Sequence, residues 1–157
     1  MSTSKSNVSF NLANPIQFLA LGFGSGLAPK APGTFGTLAA IPLYFILSTL
    51  TTSFYALAVL FMTIAGFYIC GKAADDLGVH DHPAIVWDEF VGFLITMFMV
   101  PISWQSLTLG FILFRLFDII KPWPISFIDK KVSGGFGIMI DDVLAGIFSL
   151  IIMQLIF

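Results

Sequence analysis

Charge and cysteine are what this chain has least of. Nine Asp and Glu and seven Lys and Arg make charged residues 10% of the 157. An ordinary soluble domain carries about 25%, so composition argues against a water-soluble globule. The one cysteine, Cys70, stands in an apolar run, which excludes a disulfide framework and a cysteine metal motif. There is no basic surplus, the formal net charge being -2, and no nucleic-acid partner is expected. The GxxxxGK[ST] order of a P-loop is absent. A Cys-x5-Arg phosphatase nucleophile is absent too, because the position it requires after Cys70 is Asp76. The first 17 residues are polar and lack the pattern of a cleaved signal. No internal repeat or low-complexity tract occurs.

What the chain has in quantity is apolar surface. Hydrophobic residues make up 57%, and mean hydropathy is +0.96. This is the composition of a membrane protein. Its length predicts a single domain over 1–157, with 1–17 as a flexible N-terminal arm. Uncharged windows cover 31–71, 90–114 and 143–157. The first exceeds the roughly 17–25 residues of one membrane helix and breaks at the polar run 48–53, predicting helices over 34–49 and 54–73. The second breaks at Pro101, since proline removes a backbone donor and ends or kinks a helix. It predicts helices over 84–100 and 105–119. A last helix starts at about 141. The expected fold is therefore an all-α, polytopic membrane helix bundle of about five short transmembrane or partly spanning helices.

If each helix crosses, the turns 48–53 and 101–106 and the C-terminus share one side, and they carry no charge. The loops 72–89 and 119–141 fall on the other side with the N-terminus. Lys5, Lys30, Lys72, Arg115, Lys121, Lys130 and Lys131 all belong to that second side, which the positive-inside tendency makes cytoplasmic. The expected location is the inner membrane, multi-pass, with acidic loops facing the cytoplasm.

Every carboxylate lies between Asp75 and Asp142. Acids set among membrane helices are costly and are seldom decoration. Asp88 and Glu89 are flanked by Val86-Trp87 and Phe90-Val91, flanks that belong inside a bundle. Asp81-His82-Pro83 precedes them as a cap-and-proline helix start, which places the pair about a turn into the helix. Arg115 and Asp118, three apart, share a face. The bland reading of that pair is a local ion pair, but an acid near a helix C-terminus opposes the macrodipole whereas Lys121 agrees with it. Asp141 and Asp142 are expected in the first turn of the last helix, where capping alone would account for them. Oxygen-rich carboxylate sets suit Mg2+, Mn2+ or Ca2+. His80 and His82 are lesser candidates for ligands or proton carriers.

The glycine-rich stretch 22–37 holds Ser25, Lys30, Thr34 and Thr37. It reads either as an anion cradle at a helix N-terminus or as a turn with Thr34 as N-cap. Acids outnumber cations from Lys72 onward, nine to five. Such a site repels phosphate unless a divalent metal inverts its sign.

Four blocks then stand together. They are Gly24-Ser25-Gly26-Leu27-Ala28-Pro29 with Ala31-Pro32-Gly33-Thr34; Ile85-Val86-Trp87-Asp88-Glu89-Phe90-Val91-Gly92; Phe114-Arg115-Leu116-Phe117-Asp118-Ile119-Ile120-Lys121-Pro122-Trp123-Pro124; and 134–146. In this order, from about residue 18 onward, the chain resembles the phosphatidylglycerophosphatase A family. The resemblance implies an integral inner-membrane, Mg2+-dependent enzyme converting phosphatidylglycerophosphate to phosphatidylglycerol and inorganic phosphate. It implies an acidic site of Asp81, Asp88, Glu89, Asp118, Asp141 and Asp142, with Arg115 and Lys121 as phosphate contacts. Of these, Asp88, Glu89, Asp118, Asp141 and Asp142 are the expected metal ligands. Ser25, Lys30, Thr34 and Thr37 join Arg115 and Lys121 as candidate substrate contacts. The expected partners are that lipid and its surrounding membrane.

Rival readings come from other classes. The DGxxAR-type signature of lipid phosphotransferases is absent. A small cation transporter or channel would need acids near the bilayer midplane, whereas these gather at one face. A non-catalytic membrane adaptor leaves the buried pair Asp88 and Glu89 unexplained.

Overall fold

Short-range chemistry sets most helix ends in this chain. The Asn14 side chain accepts from the N–H groups of Ile16 and Gln17, opening α1, Pro15–Ala20. A 3-10 turn over Ser25–Leu27 leads to α2, Pro32–Leu47, which has proline in its first turn. Thr51 caps α3, Thr52–Leu77, and left-handed Gly78 closes it. The short helix α4 covers Trp87–Thr96. A reciprocal Ser103–Ser106 capping box opens α5, Trp104–Ile120, and Lys121 ends it in a left-handed conformation. Next come α6, Ile125–Lys131, and α7, Gly134–Ile156. The computed structural model describes residues 8–157, and no strand occurs among them.

The helices expected over 34–49, 54–73 and 105–119 are present, with ends moved by about a turn or less. Two differ more. The helix expected over 84–100 is confined to Trp87–Thr96, because Met99 adopts positive φ (57°) ahead of Pro101. The helix expected from 141 begins at Gly134, roughly two turns earlier. Its glycines act as contact points and not as breakers: a Cβ on Gly135 would stand 1.9 Å from the Phe67 carbonyl oxygen. The segment 125–132 is mostly the helix α6. Part of the arm expected over 1–17 lies outside the described residues, and from Pro15 it is α1.

α4 is the centre of the bundle. All of it except Ile95 is buried, with α2, α3, α5 and α7 packed around it. Polar anchors hold it in place. Trp87 Nε1 donates to the Met62 carbonyl at 3.0 Å, Tyr55 Oη donates to the Leu94 carbonyl at 2.7 Å, and the Val86 N–H donates to the Ala20 carbonyl at 2.8 Å.

The seam between α4 and α7 depends on small residues. A Cβ on Gly92 would lie 2.8 Å from the Asp142 carbonyl oxygen, and one on Gly146 would lie 2.6 Å from the Gly92 carbonyl oxygen. Neither position admits a side chain unless the helices part.

The two ends of the bundle differ in polarity. Segments 48–52 and 97–102 line one cavity, and Gln154 Nε2 donates to the Phe98 carbonyl at 2.8 Å. Both uncharged turns and the end of α7 therefore share a side, while the acids lie at the other. α3 and α7 are long and apolar enough to cross a membrane. α2 is apolar but shorter, its 16 residues extending roughly 24 Å. Phe54, Leu57, Phe61, Ile64 and Tyr68 form an exposed apolar stripe along α3 at helical spacing.

Candidate active site

The helix boundaries exchange the positions expected of the two acid pairs. Asp88 and Glu89 occupy the first turn of α4, where the helix dipole favours negative charge. Asp141 and Asp142 are two turns inside α7, and its first turn holds no acid. The capping explanation for Asp141 and Asp142 is therefore withdrawn. They are buried mid-helix acids, 5% and 1% exposed.

One cavity gathers most of the polar residues. Asp81, His82, Asp88, Glu89, Arg115, Asp118, Lys121, Asp141 and Asp142 line it, together with Ala31, Pro32 and Gly33 from the start of α2. Two carboxylate groupings lie within it. Asp88, Glu89 and Asp142 present oxygens all within 4.8 Å of one another, and so do Asp118, Asp141 and Asp142. Asp142 belongs to both. The spacing behind this is matched on the two helices: Asp88 precedes Gly92, and Asp142 precedes Gly146, by four residues. Residues four apart lie on one helix face. The glycine seam therefore brings the acids one turn above it together.

Two cations border the carboxylates. Arg115 pairs with Asp118 through Nη1, which also lies 3.8 Å from Glu89 Oε1. Lys121 Nζ reaches Asp141 Oδ2 at 2.7 Å and Asp129 Oδ1 at 3.2 Å. Burial would lower the Lys121 pKa, but the bonds to Asp141 and Asp129 outweigh it and hold the ammonium above its ordinary value. In the α3–α4 connection, burial raises the Asp81 carboxyl against the pull of Lys121.

These partners leave several oxygens without one. Asp88 Oδ1, Glu89 Oε2, Asp141 Oδ1 and Asp142 Oδ2 are buried and make no hydrogen bond among the described residues. Burying an unpaired carboxylate carries a heavy desolvation penalty. A hard divalent cation held by oxygen donors would remove it, so the donor set fits Mg2+.

The candidates from the glycine-rich stretch lie elsewhere. Ser25 Oγ donates to the Gly22 carbonyl at 2.7 Å, and the buried Thr37 Oγ1 donates to the Gly33 carbonyl at 2.8 Å. Ser25, Lys30, Thr34 and Thr37 do not line the acidic cavity. Nor is Thr34 the N-cap of α2, a position that Ala31 holds with φ 48°.

The sequence matches the family described as phosphatidylglycerophosphatase A over residues 18–157. The chain belongs to the phosphatidylglycerophosphatase A family. Two relatives named phosphatidylglycerophosphatase A agree. The Escherichia coli K12 protein is 50% identical, the match covering 88% of this chain and 81% of the relative. The Haemophilus influenzae Rd protein is 50% identical over 91% of this chain and 89% of its own. A Bacteroides thetaiotaomicron relative, provisionally named a phosphatidylinositol-3-phosphatase, is 42% identical over 86% of this chain and 89% of its own. No solved structure matches.

Within this family member, two contributors to the site carry little signal in composition or motif. Gly33 approaches so closely that a Cβ there would stand 2.7 Å from Glu89 Oε1 and 3.0 Å from Arg115 Nη2. His80 Nε2 accepts the Gly134 N–H at 3.0 Å, tying the α3–α4 connection to the start of the helix that carries Asp141 and Asp142. Matched Asp-x-x-x-Gly spacings at 88/92 and 142/146 are the sequence signal that would have paired α4 with α7.

Proposed function

We propose that this chain is a single-domain, membrane-embedded lipid phosphatase. It removes the terminal phosphate of phosphatidylglycerophosphate with Mg2+, leaving phosphatidylglycerol and inorganic phosphate. Membership in a family named for that reaction supports the substrate. The observation that carries the chemistry is the pair of carboxylate groupings sharing Asp142, with buried unpaired oxygens beside Arg115 and Lys121.

Asp88, Glu89, Asp118, Asp141 and Asp142 would hold Mg2+, which when bound supplies positive charge to an anionic pocket and polarises phosphoryl oxygens. Arg115 offers a planar fork to phosphate oxygens, and Lys121 offers a point charge. Their bonds to Asp118 and Asp141 keep both cations aimed at the cavity before substrate arrives. Hydrolysis gives phosphorus a new P–O bond to an oxygen that comes from water and breaks the ester P–O bond. The electron pair of that ester bond stays on the glycerol oxygen, which then needs a proton. Asp81 lines the same cavity, and burial makes its carboxyl retain a proton to higher pH than usual. It is the residue suited to supply that proton.

The topology in this reading has five crossings, α2, α3, α4 with its following turn, α5 and α7. The chain lies in the bacterial inner membrane with its charged end in the cytoplasm. The shared position of 48–52, 97–102 and Gln154 supports this arrangement, as does the Lys and Arg bias. A cation pathway would string its acids through the bundle. Here they gather at one end, which favours the phosphatase.

Purified protein in mixed micelles of phosphatidylglycerophosphate should release phosphate with Mg2+ and stop when EDTA is added. No release under any metal condition would overturn the reading.

A further inference from the structure

We infer that the cavity binds two divalent cations, one on Asp88, Glu89 and Asp142 and one on Asp118, Asp141 and Asp142, bridged by the Asp142 carboxylate. This inference rests on the phosphatase reading and adds the number of ions and their division between ligands.

Three observations carry it. The carboxylate oxygens fall into two groupings rather than one, and only Asp142 is common to both. Each grouping also keeps buried oxygens that no protein donor satisfies. Asp88 Oδ1 and Glu89 Oε2 come from residues of the first, Asp141 Oδ1 from a residue of the second, and Asp142 Oδ2 from the residue common to both. Asp88, Glu89, Asp141 and Asp142 are all at least nine-tenths buried, so bulk water is a poor substitute for a ligand. A single ion within the first grouping would leave Asp141 Oδ1 unmet.

The third observation is charge. Six carboxylates and two cations line the cavity, a formal excess of four negative charges. One divalent ion leaves two of them facing an incoming phosphate dianion, whereas two ions cancel the excess. With Asp81 protonated, one ion still leaves the pocket negative and two make it positive. Only the second ion turns the cavity from repelling phosphate to accepting it.

The partners of Arg115 and Lys121 separate the two positions in strength. Lys121 occupies Asp141 Oδ2, and Arg115 is paired with Asp118 Oδ2. Both acids that the second position does not share thus have one oxygen turned to a protein cation. The first position meets a cation only at Glu89 Oε1, 3.8 Å from Arg115 Nη1, so the second gathers less free charge. The ion on Asp88, Glu89 and Asp142 therefore binds more tightly.

The full-length protein in detergent would be titrated with Mn2+, with binding followed by equilibrium dialysis and electron paramagnetic resonance. Phosphate release would be assayed in parallel. Wild type should take up two equivalents, the first more tightly. The isolated-ion spectrum at one equivalent should give way to an exchange-coupled one at two. Asp88→Asn and Asp141→Asn should each retain one equivalent without the coupled signal. One equivalent in wild type with phosphate release intact would overturn this inference and leave the phosphatase standing. Two equivalents that never couple would also overturn it, because a shared carboxylate brings the ions together. Absence of any metal-dependent phosphate release would instead overturn the functional reading. The wild-type stoichiometry decides even if a variant fails to fold.

Discussion

Gly33→Ala should separate activity from stability. Gly33 lies in the first turn of α2 and faces Glu89 and Arg115. A Cβ there would be 2.7 Å from Glu89 Oε1, about 0.7 Å inside ordinary van der Waals contact, and 3.0 and 3.1 Å from the two Arg115 terminal nitrogens. The side chains can give way because the contact is with their ends and not with backbone. The Glu89 carboxylate must then move by most of that distance, and Arg115 must move with it. A misplacement of about 1 Å at a reacting centre can cost on the order of 10²-fold in rate. The expected loss in kcat/KM is 10- to 100-fold, or about 1.4 to 2.7 kcal/mol of transition-state stabilisation. Stability should move the other way or not at all, since alanine is favoured over glycine in a helix by up to roughly 1 kcal/mol. Phosphate release from phosphatidylglycerophosphate micelles, run beside thermal unfolding in the same detergent, reads both quantities. Near wild-type turnover with unchanged Mg2+ dependence would refute the claim that Glu89 and Arg115 act from these positions. A large fall in Tm would show instead that Gly33 serves packing.

Other perturbations test separate parts of the site. Asp118→Asn should lower turnover by at least about 10²-fold, whereas Asp129→Asn, on the exposed side of Lys121, should change it only a few-fold; similar losses in both would remove Asp118 from the metal set. His80→Ala deletes the acceptor for the Gly134 N–H and should cost about 1 kcal/mol of stability and weaken apparent Mg2+ affinity. His80→Gln, which keeps an acceptor, should recover most of both, and equal behaviour of the two variants would exclude the hydrogen bond as the cause. Burial raises the Asp81 pKa, so the folded state binds this proton more tightly than the unfolded chain. That contribution to stability is present below the ordinary Asp value of about 3.9 and is lost as pH rises through the folded value. Asp81→Asn should accordingly flatten the pH dependence of Tm above about pH 4, and an unchanged profile would count against a buried Asp81.

Much of the architecture was legible because apolar helices and charged loops differ so strongly in composition. The polar run 48–53 and Pro101 marked the turns, and alternating crossings anticipated that these two uncharged turns would share an end. Glycine was harder to read. Gly134 and Gly135 look like breakers in a one-dimensional pattern, yet Gly135 fits against the Phe67 carbonyl, a contact between residues far apart in sequence. The start of α7, expected at about 141, lies at Gly134, so Asp141 and Asp142 do not hold the capping position expected of them. Short hydroxyls misled in another way. Ser25 and Thr37 in a glycine-rich stretch could face an anion or bond to their own backbone, and both took the backbone. The acids at 81, 88, 89, 118, 141 and 142 were conspicuous because few polar groups competed for notice. Their assembly around one cavity required the close approach of α4 and α7, which only the matched Asp-x-x-x-Gly spacings at 88/92 and 142/146 signal.

The shared carboxylate of Asp142 also has a consequence for how the protein is made. Asp88 and Glu89 leave the ribosome well before α7 exists. About sixty residues separate the end of α4 from the end of α7, roughly 3 to 12 s of synthesis at about 5 to 20 residues per second. During that interval a helix destined to be enclosed on every side has only part of its walls, and two acids wait at its mouth without their third partner. Both carboxylate groupings are thus incomplete until the C-terminal helix docks. A ribosome that stalls before that point would leave an apolar, half-enclosed α4 whose two acids still lack Asp142.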